Sequence, residues 1–179
     1  MTVPMRVETE RLRLDALDRD ALQAWLDADA EALFILTGTH FGEPPEPPPL
    51  FGRDLPGFRD RMVETPGELG WWVWLIARRE DDRAVGVCGL GGRPDEDGVV
   101  VLGYSVYPDM EGHGYATEAA RAVTDWALSA PGVGCVRATV PTGNPRSQSV
   151  ARKLGMSRVG TEAHPEVGEV EVYEIARRP

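Results

Sequence analysis

A glycine-punctuated turn at positions 111–114 joins a strand pattern to a helix pattern and points to the binding of an anion. β-Branched and aromatic residues run from Val99 to Tyr107, and Pro108, which lacks an amide donor, ends that strand. Apolar residues then recur at helical spacing from Ala116 onward. A strand, turn and helix in this order direct free backbone N–H groups and the positive end of the helix at one point, where a phosphate group is the natural ligand.

Two common phosphate-binding loops do not fit this stretch. A Walker loop requires Gly-Lys followed by Ser or Thr, but the single lysine of the chain, Lys153, precedes Leu154. A dinucleotide fingerprint requires a small third residue to close G-x-G-x-x-G, and Thr117 stands at that position. The sequence therefore favours a third kind of loop.

The ordered string from Gly103 to Ala119 resembles motif A of the GCN5-related N-acetyltransferases (the GNAT superfamily). It contains GYSVYP and, three residues later, GHGYATEA, which is most similar to the branch that acetylates the N-termini of ribosomal proteins. A bare turn would require glycine only for positive φ and would not require the rest of the string. The resemblance covers nearly the whole chain, including the TERLRL opening; it is strongest from Gly103 to Met156 and weakest over positions 40–66.

The resemblance implies that acetyl-CoA is the cosubstrate and that no metal is involved. In the family, the loop holds the pyrophosphate, the pantetheine arm pairs with the central strand, and a backbone N–H near Val106 polarises the acetyl carbonyl. The segment NPRSQSVARKLGM resembles a second family element that contacts coenzyme A, and Asn144 also suits the N-cap of a helix there. The cofactor-binding residues that the resemblance implies are Ser105, Val106, Tyr107, Glu111, Gly112, His113, Gly114, Tyr115, Ala116, Thr117, Asn144 and Ser147.

Acetyl transfer from a thioester to an amine requires a neutral amine, a stabilised carbonyl oxygen and a proton for the departing thiolate. In the family, that proton often comes from a tyrosine that follows the second helix. Tyr173 is therefore one catalytic candidate, and Ser147 is another because of its place in the Asn-x-x-Ser element of the family. Three further tyrosines remain as alternatives to Tyr173: Tyr104, Tyr107 and Tyr115.

The sequence departs from the family pattern at two positions. Val101 stands where many relatives carry a carboxylate that serves as the base, and Glu111 opens the loop where Gln, Arg or Trp is usual. A carboxylate beside a diphosphate is unfavourable unless it points away. The base is therefore unassigned; His40 and Glu68 are candidates by type alone, and an α-amine with a pKa near 8 also needs little help.

The length of 179 residues predicts one domain over positions 1–179. The resemblance implies an α/β GNAT fold. Its sheet is mixed and mostly antiparallel, has six to seven strands and splays at a central parallel pair, and helices cover both faces.

A helix is predicted from the Asp18 cap to about Leu33, and a shorter one from Leu55 to Val63. Alternation places Trp72 and Trp74 on one face and Trp71 on the other. The predicted strands are Glu10–Leu14, Trp71–Ala77, Ala84–Leu90, Val99–Tyr107, Cys135–Val140, Met156–Ala163 and Glu169–Ala176.

The net charge of −10 disfavours nucleic acid as a partner and suits either an amine substrate or simple solubility. Cys88 and Cys135 lie in apolar runs without C-x-x-C spacing, which indicates reduced thiols and a cytoplasmic protein. The sequence shows no apolar run of membrane length. The expected acceptor is a protein N-terminal α-amine or a small-molecule amine, and because relatives are often dimers, a homodimer is also open. The alternative function is a catalytically weak acyl-CoA sensor or partner module, which Val101 favours.

Overall fold

A single open sheet organises the computed structural model, which describes residues 5–177. Its eight strands are β1 (Arg6–Glu8), β2 (Leu12–Ala16), β3 (Val73–Arg78), β4 (Ala84–Leu90), β5 (Val99–Val106), β6 (Cys135–Pro141), β7 (Ser157–His164) and β8 (Gly168–Ala176). The helices are α1 (Arg19–Leu26), α2 (Ala30–Thr37), α3 (Leu55–Glu64), α4 (Tyr115–Ser129) and α5 (Pro145–Lys153). Short 3₁₀ turns span Pro66–Glu68 and Pro108–Met110.

The strands follow the order β1-β2-β3-β4-β5-β6-β8-β7, and every neighbouring pair is antiparallel except β5–β6. The mixed sheet with a central parallel pair is therefore confirmed, but it has eight strands instead of six to seven. The additional strand is β1, which pairs with β2 and places Arg6 opposite Asp15. Three residues are too few to show a period-two pattern. The Arg6 Nε atom donates to the buried Asp15 carboxylate at 2.6 Å, a contact between residues nine positions apart.

The two central strands separate soon after they begin. β5 and β6 pair only over Val99–Val101 and Cys135–Arg137, yet the strands continue to Val106 and Pro141. β5 stays paired with β4 as far as Val106. A cleft therefore opens along the β6 side of the second half of β5, as the resemblance implied.

Helices cover both faces of the sheet, as predicted. One face packs against α4, whose Ala119, Ala120, Val123 and Ala127 are fully buried; the small alanines allow close approach to the strands. The opposite face packs against α1–α3 through Leu22, Trp25, Leu33 and Leu55. Because side chains alternate along β3, Val73 and Leu75 join this second cluster while Trp74 and Ile76 join the first.

The single helix predicted from Asp18 to about Leu33 is wrong, because the chain forms two helices there. Asp18 does cap α1, accepting from the Ala21 N–H at 3.0 Å, but Ala28 then adopts a left-handed φ of 53°. Asp29 caps α2 by accepting from the Ala32 N–H at 2.9 Å. The Asp29 side chain thus competes for backbone donors and starts a new helix, which apolar periodicity alone does not reveal.

The predicted distribution of the tryptophans is also wrong. Trp71 and Trp74 both pack edge-on against Trp126 of α4, with ring centroids 5.0 and 5.3 Å away. Trp72 instead lies near Phe58 of α3, on the opposite face, at 6.3 Å. Alternation applies only within an extended strand, and β3 begins at Val73, so Trp71 and Trp72 precede it.

Candidate active site

The backbone of β5 presents alternate residues to the cleft. The Tyr107 N–H donates to the Val85 carbonyl, and the Val101 carbonyl accepts from Gly91, so the odd-numbered residues direct their backbone groups toward β4. In an antiparallel ladder the even-numbered residues point the other way. The N–H and C=O groups of Tyr104 and Val106 therefore face the cleft beyond the last β6 pair.

Three consecutive residues, Ser105, Val106 and Tyr107, were predicted to bind the cofactor, and of these Val106 offers its backbone to the cleft. The Ser105 side chain points to the α1–α3 face, where its Oγ donates to the Pro49 carbonyl at 2.5 Å. Tyr107 follows β5 and packs against the core cluster on the α4 side, and its Oη donates to the Glu46 carbonyl at 2.7 Å.

The loop at the end of the cleft is shaped by two glycines with left-handed backbones. Gly112 has φ 78° and Gly114 has φ 81°. Gly114 is the N-cap of α4, and no side chain caps this fifteen-residue helix. The first N–H groups of the helix, from Tyr115 through Thr117, are thus oriented to receive an external acceptor. Gly112 is exposed, and a Cβ there would meet no atom within 4 Å, so the loop leaves open space beside this residue.

Arg11 and Glu118 anchor this loop to the start of β2. Arg11 donates to Glu118 at 2.7 Å and to the His113 carbonyl at 2.9 Å, and its guanidinium lies 4.8 Å from the centre of the Tyr115 ring. Thr9 Oγ1 also donates to Glu118, at 2.6 Å. The sequence analysis did not identify this anchor, although Arg11 belongs to TERLRL and Glu118 to GYATEA, the two strings that carry the resemblance.

Replacing Glu118 with glutamine is expected to destabilise the protein at pH 7 and to have a smaller effect in acid. Burial by itself raises the pKa of Glu118, but the hydrogen bonds from Thr9 and Arg11 outweigh burial and hold that pKa below its ordinary value of 4.5. The carboxylate therefore stabilises the fold above about pH 4.5, and this contribution disappears as the pH falls through the lower, folded-state pKa. The free energy of urea unfolding from pH 7 to pH 3 measures the effect. Glu96→Gln, in the exposed turn before β5, is the control, and a deficit independent of pH would contradict the assignment.

Glu111, the unexpected residue at the opening of the loop, forms an ion pair with Arg146 in the first turn of α5. The pair joins the two sides of the cleft at its mouth. Arg146 offsets the negative charge of the Glu111 carboxylate, which reduces the electrostatic repulsion between Glu111 and a diphosphate bound at the loop.

The N-terminus of α5 lies against β5 through Ser147. Asn144 is the N-cap, as predicted, and its Oδ1 atom accepts from the Ser147 N–H at 3.1 Å. The Tyr104 hydroxyl lies 2.9 Å from Ser147 Oγ and donates to the Ser147 carbonyl at 3.0 Å. Burial raises the pKa of Tyr104, so its phenol keeps its proton at neutral pH. The structure thus brings Ser147 together with Tyr104.

Tyr173, the other catalytic candidate, has a different environment. It is 1% exposed, and its hydroxyl donates to Glu171 at 2.6 Å and lies 3.5 Å from Arg152. Burial and, next, the bond to Glu171 raise its pKa.

A cavity of about 330 Å³ lies on the α1–α3 face of β5. The proline-rich segment 44–49 covers β5 beside it, because its carbonyls accept the Ser105 and Tyr107 hydroxyls, and Trp25 Nε1 donates to the Pro45 carbonyl at 2.8 Å. This segment is therefore a fixed part of the wall around the site. The side chains that form much of the lining are those of Leu50, Phe51, Asp54, Phe58, Trp72 and Val101.

The base candidates chosen by residue type lie outside this lining. The His40 ring stacks on Phe34 with centroids 4.7 Å apart, and Glu68 accepts from Trp72 Nε1 at 3.0 Å. Of the described residues that line the cavity, Asp54 is the only carboxylate. Cys88 also borders the cavity, but burial raises the pKa of its thiol to about 12, so it supplies no thiolate at neutral pH.

Within residues 5–177, no helix is long and apolar enough to cross a membrane. The same part of the chain contains no cluster of three or more His, Cys, Asp or Glu side chains arranged to hold a metal ion.

Known structures share this fold at low sequence identity. RimL, a ribosomal-protein alpha-N acetyltransferase solved with coenzyme A, superposes with a TM-score of 0.68 at 14% identity, over 96% of this chain and 98% of RimL. A spermidine N-acetyltransferase chimera of Vibrio cholerae SpeG and hSSAT gives 0.66 at 13% identity, over 94% and 96% of the two chains. The acceptors of these neighbours differ, so the likeness extends to the fold alone.

Sequence comparisons identify the family of the chain in addition to its fold. A family model described as an acetyltransferase (GNAT) domain matches residues 11–157. YjdG, an uncharacterized N-acetyltransferase of Bacillus subtilis strain 168, is 34% identical over 149 residues, which are 83% of this chain and 88% of YjdG. Both matches include the glycine loop and most of the sheet. The chain therefore belongs to the GNAT acetyltransferase family and is an acyltransferase.

Proposed function

We propose that this protein, as one domain over residues 1–179, transfers an acetyl group from acetyl-CoA to a primary amine by direct attack in a ternary complex. One observation carries the proposal: the cleft along the β6 edge of β5 ends at the glycine loop and the N-terminus of α4, while the cavity lies on the α1–α3 face of the same strand. A thioester in the cleft and an amine in the cavity would thus meet at β5. The continuous sheet from β1 to β7 supports one domain.

The residues present fit a bound coenzyme A. The open space beside Gly112 and the uncapped N–H groups of α4 suit a diphosphate, and Asn144 and Arg146 border the same cleft from α5. Bound acetyl-CoA supplies an activated acetyl group and a thiolate leaving group. The Val106 N–H faces the cleft and is the donor that would stabilise negative charge on the acetyl oxygen.

Tyr104 is the side chain that we assign to protonate the leaving thiolate. Its hydroxyl lies beside Ser147 at the cleft, and its raised pKa keeps the proton available at neutral pH. The amine nitrogen bonds to the acetyl carbon as the carbon–sulfur bond breaks, and the sulfur takes the phenolic proton. The amine nitrogen then loses one proton to solvent, and the Tyr104 phenolate regains a proton from solvent. The inert Cys88 thiol favours this direct route over an acyl-cysteine.

Calorimetric titration with acetyl-CoA and CoA, followed by an amine and peptide panel monitored for thiol release, tests the function. We expect binding of both nucleotides and thiol release that depends on an amine. Binding without turnover on any amine would favour the acyl-CoA sensor instead, for which Val101 in the usual base position is the supporting observation. Absence of binding would overturn the cleft assignment.

A further inference from the structure

The walls of the cavity indicate which amines it accepts. Phe51 and Phe58 are stacked with centroids 5.4 Å apart, and Phe58 lies 6.3 Å from Trp72, so three aromatic rings form a continuous wall. The indole N–H of Trp72 is already bonded to Glu68 at 3.0 Å, which leaves the ring to offer an apolar surface. Leu50 and Val101 extend this apolar lining.

One acidic group interrupts the apolar lining. Asp54 stands at the N-cap of α3, yet its side chain makes no capping hydrogen bond, because its own backbone is helical, with φ −90° and ψ −11°. Its contact with the Arg53 guanidinium is long, at 3.9 Å. The carboxylate is therefore available to a cation that enters the cavity.

We propose that the acceptor is a monoamine or N-terminal residue whose neighbouring substituent is apolar or aromatic, and that Asp54 binds its ammonium group before deprotonation. This inference rests on the proposed function. A polyamine carries several cations and would require several carboxylates, whereas the described lining provides one. A polar or acidic N-terminal side chain would lose its hydration against the aromatic wall without regaining hydrogen bonds. The volume of about 330 Å³ suits one such substituent.

Measuring kcat/KM over two matched acceptor series tests the substrate class. The first is 2-phenylethylamine, ethanolamine and spermidine; the second is tripeptides that begin with Phe, Ser or Asp and end in Gly-Gly. We expect the aromatic member of each series to have the highest kcat/KM, by about tenfold or more, which is the size of discrimination that an apolar pocket provides. A higher kcat/KM for ethanolamine, spermidine, or the Ser or Asp peptide would overturn the inference and leave the acetyltransferase function intact. Acetylation of no acceptor by protein that binds acetyl-CoA would contradict both.

Two variants distinguish ammonium binding by Asp54 from a non-specific effect of removing a carboxylate from this region. Asp54→Asn is expected to raise KM for 2-phenylethylamine about tenfold, because a charge-assisted contact is lost, with kcat and the Kd for acetyl-CoA preserved. Asp60→Asn, which removes a carboxylate from the exposed side of the same helix, is the matched control and should change neither. An unchanged KM in Asp54→Asn would overturn the ammonium-binding role.

Discussion

Replacing Gly112 with valine is expected to raise the Kd for acetyl-CoA about 100-fold while the sheet remains folded. Each hydrogen bond to a charged group contributes about 1.5–3 kcal/mol, and loss of one or two gives an effect of this size. The side chain would occupy the open space beside the loop, where no atom lies within 4 Å and where we place the phosphate, and a β-branched residue disfavours φ 78°, so the N–H groups around it would also turn away. Titration calorimetry measures the change.

Gly168→Val is the matched control for this substitution. Gly168 has φ 80°, and a Cβ there would also meet no atom within 4 Å, but it lies where β7 turns into β8. Both variants therefore bear a similar backbone strain of about 1–2 kcal/mol, seen as a lower midpoint of urea unfolding. The Kd for acetyl-CoA should rise in the first variant alone. Equal affinities in the two variants would contradict the placement of a phosphate at the loop.

Replacing Tyr104 with phenylalanine is expected to lower kcat about 100-fold with little change in the Kd for acetyl-CoA. General acid catalysis contributes about 10²–10⁴-fold, and the substitution removes the proton donor while it keeps the ring in place. The Tyr104 hydroxyl contacts Ser147 at the cleft, so its loss affects the leaving sulfur and not the phosphate loop. Steady-state rates with saturating acetyl-CoA measure the effect.

Two other tyrosines provide the comparison. Burial also raises the pKa of Tyr107, but its hydroxyl bonds to the Glu46 carbonyl of the proline-rich segment and not to Ser147, so Tyr107→Phe should retain kcat. Tyr173→Phe tests the residue that the family pattern favours, whose hydroxyl bonds to Glu171. If Tyr173→Phe lost activity and Tyr104→Phe did not, the proton donor would be Tyr173.

Much of the fold followed from local signals. The strand from Val99, the glycine loop and α4 were predicted in order, because a proline stop, two glycines and an apolar helical face act within a few residues of one another. Asn144 as the cap of α5 is equally local, since the bond joins residues three positions apart. The parallel pairing of β5 and β6 followed from the helix between them.

Elements without a local signal were missed or misassigned. β1 is three residues long, and its pairing depends on β2. The break between α1 and α2 depends on a competing Asp29 side chain, and the faces of Trp71 and Trp72 depend on where β3 begins, at Val73. In each case a contact or a boundary overrides a regular periodicity.

The sequence by itself determined the family, the glycine loop and the order of the elements that surround it. Only the tertiary structure decided which side chains meet at the site. Arg11 and Glu118 lie 107 positions apart, and Tyr104 and Ser147 lie 43 apart, yet both pairs are in contact. Asp54 reaches the cavity from the N-cap of α3, which packs on one face of the sheet, whereas the cleft lies between two strands. Sequence patterns report neighbours along one element, whereas a catalytic site is formed where separate elements pack together.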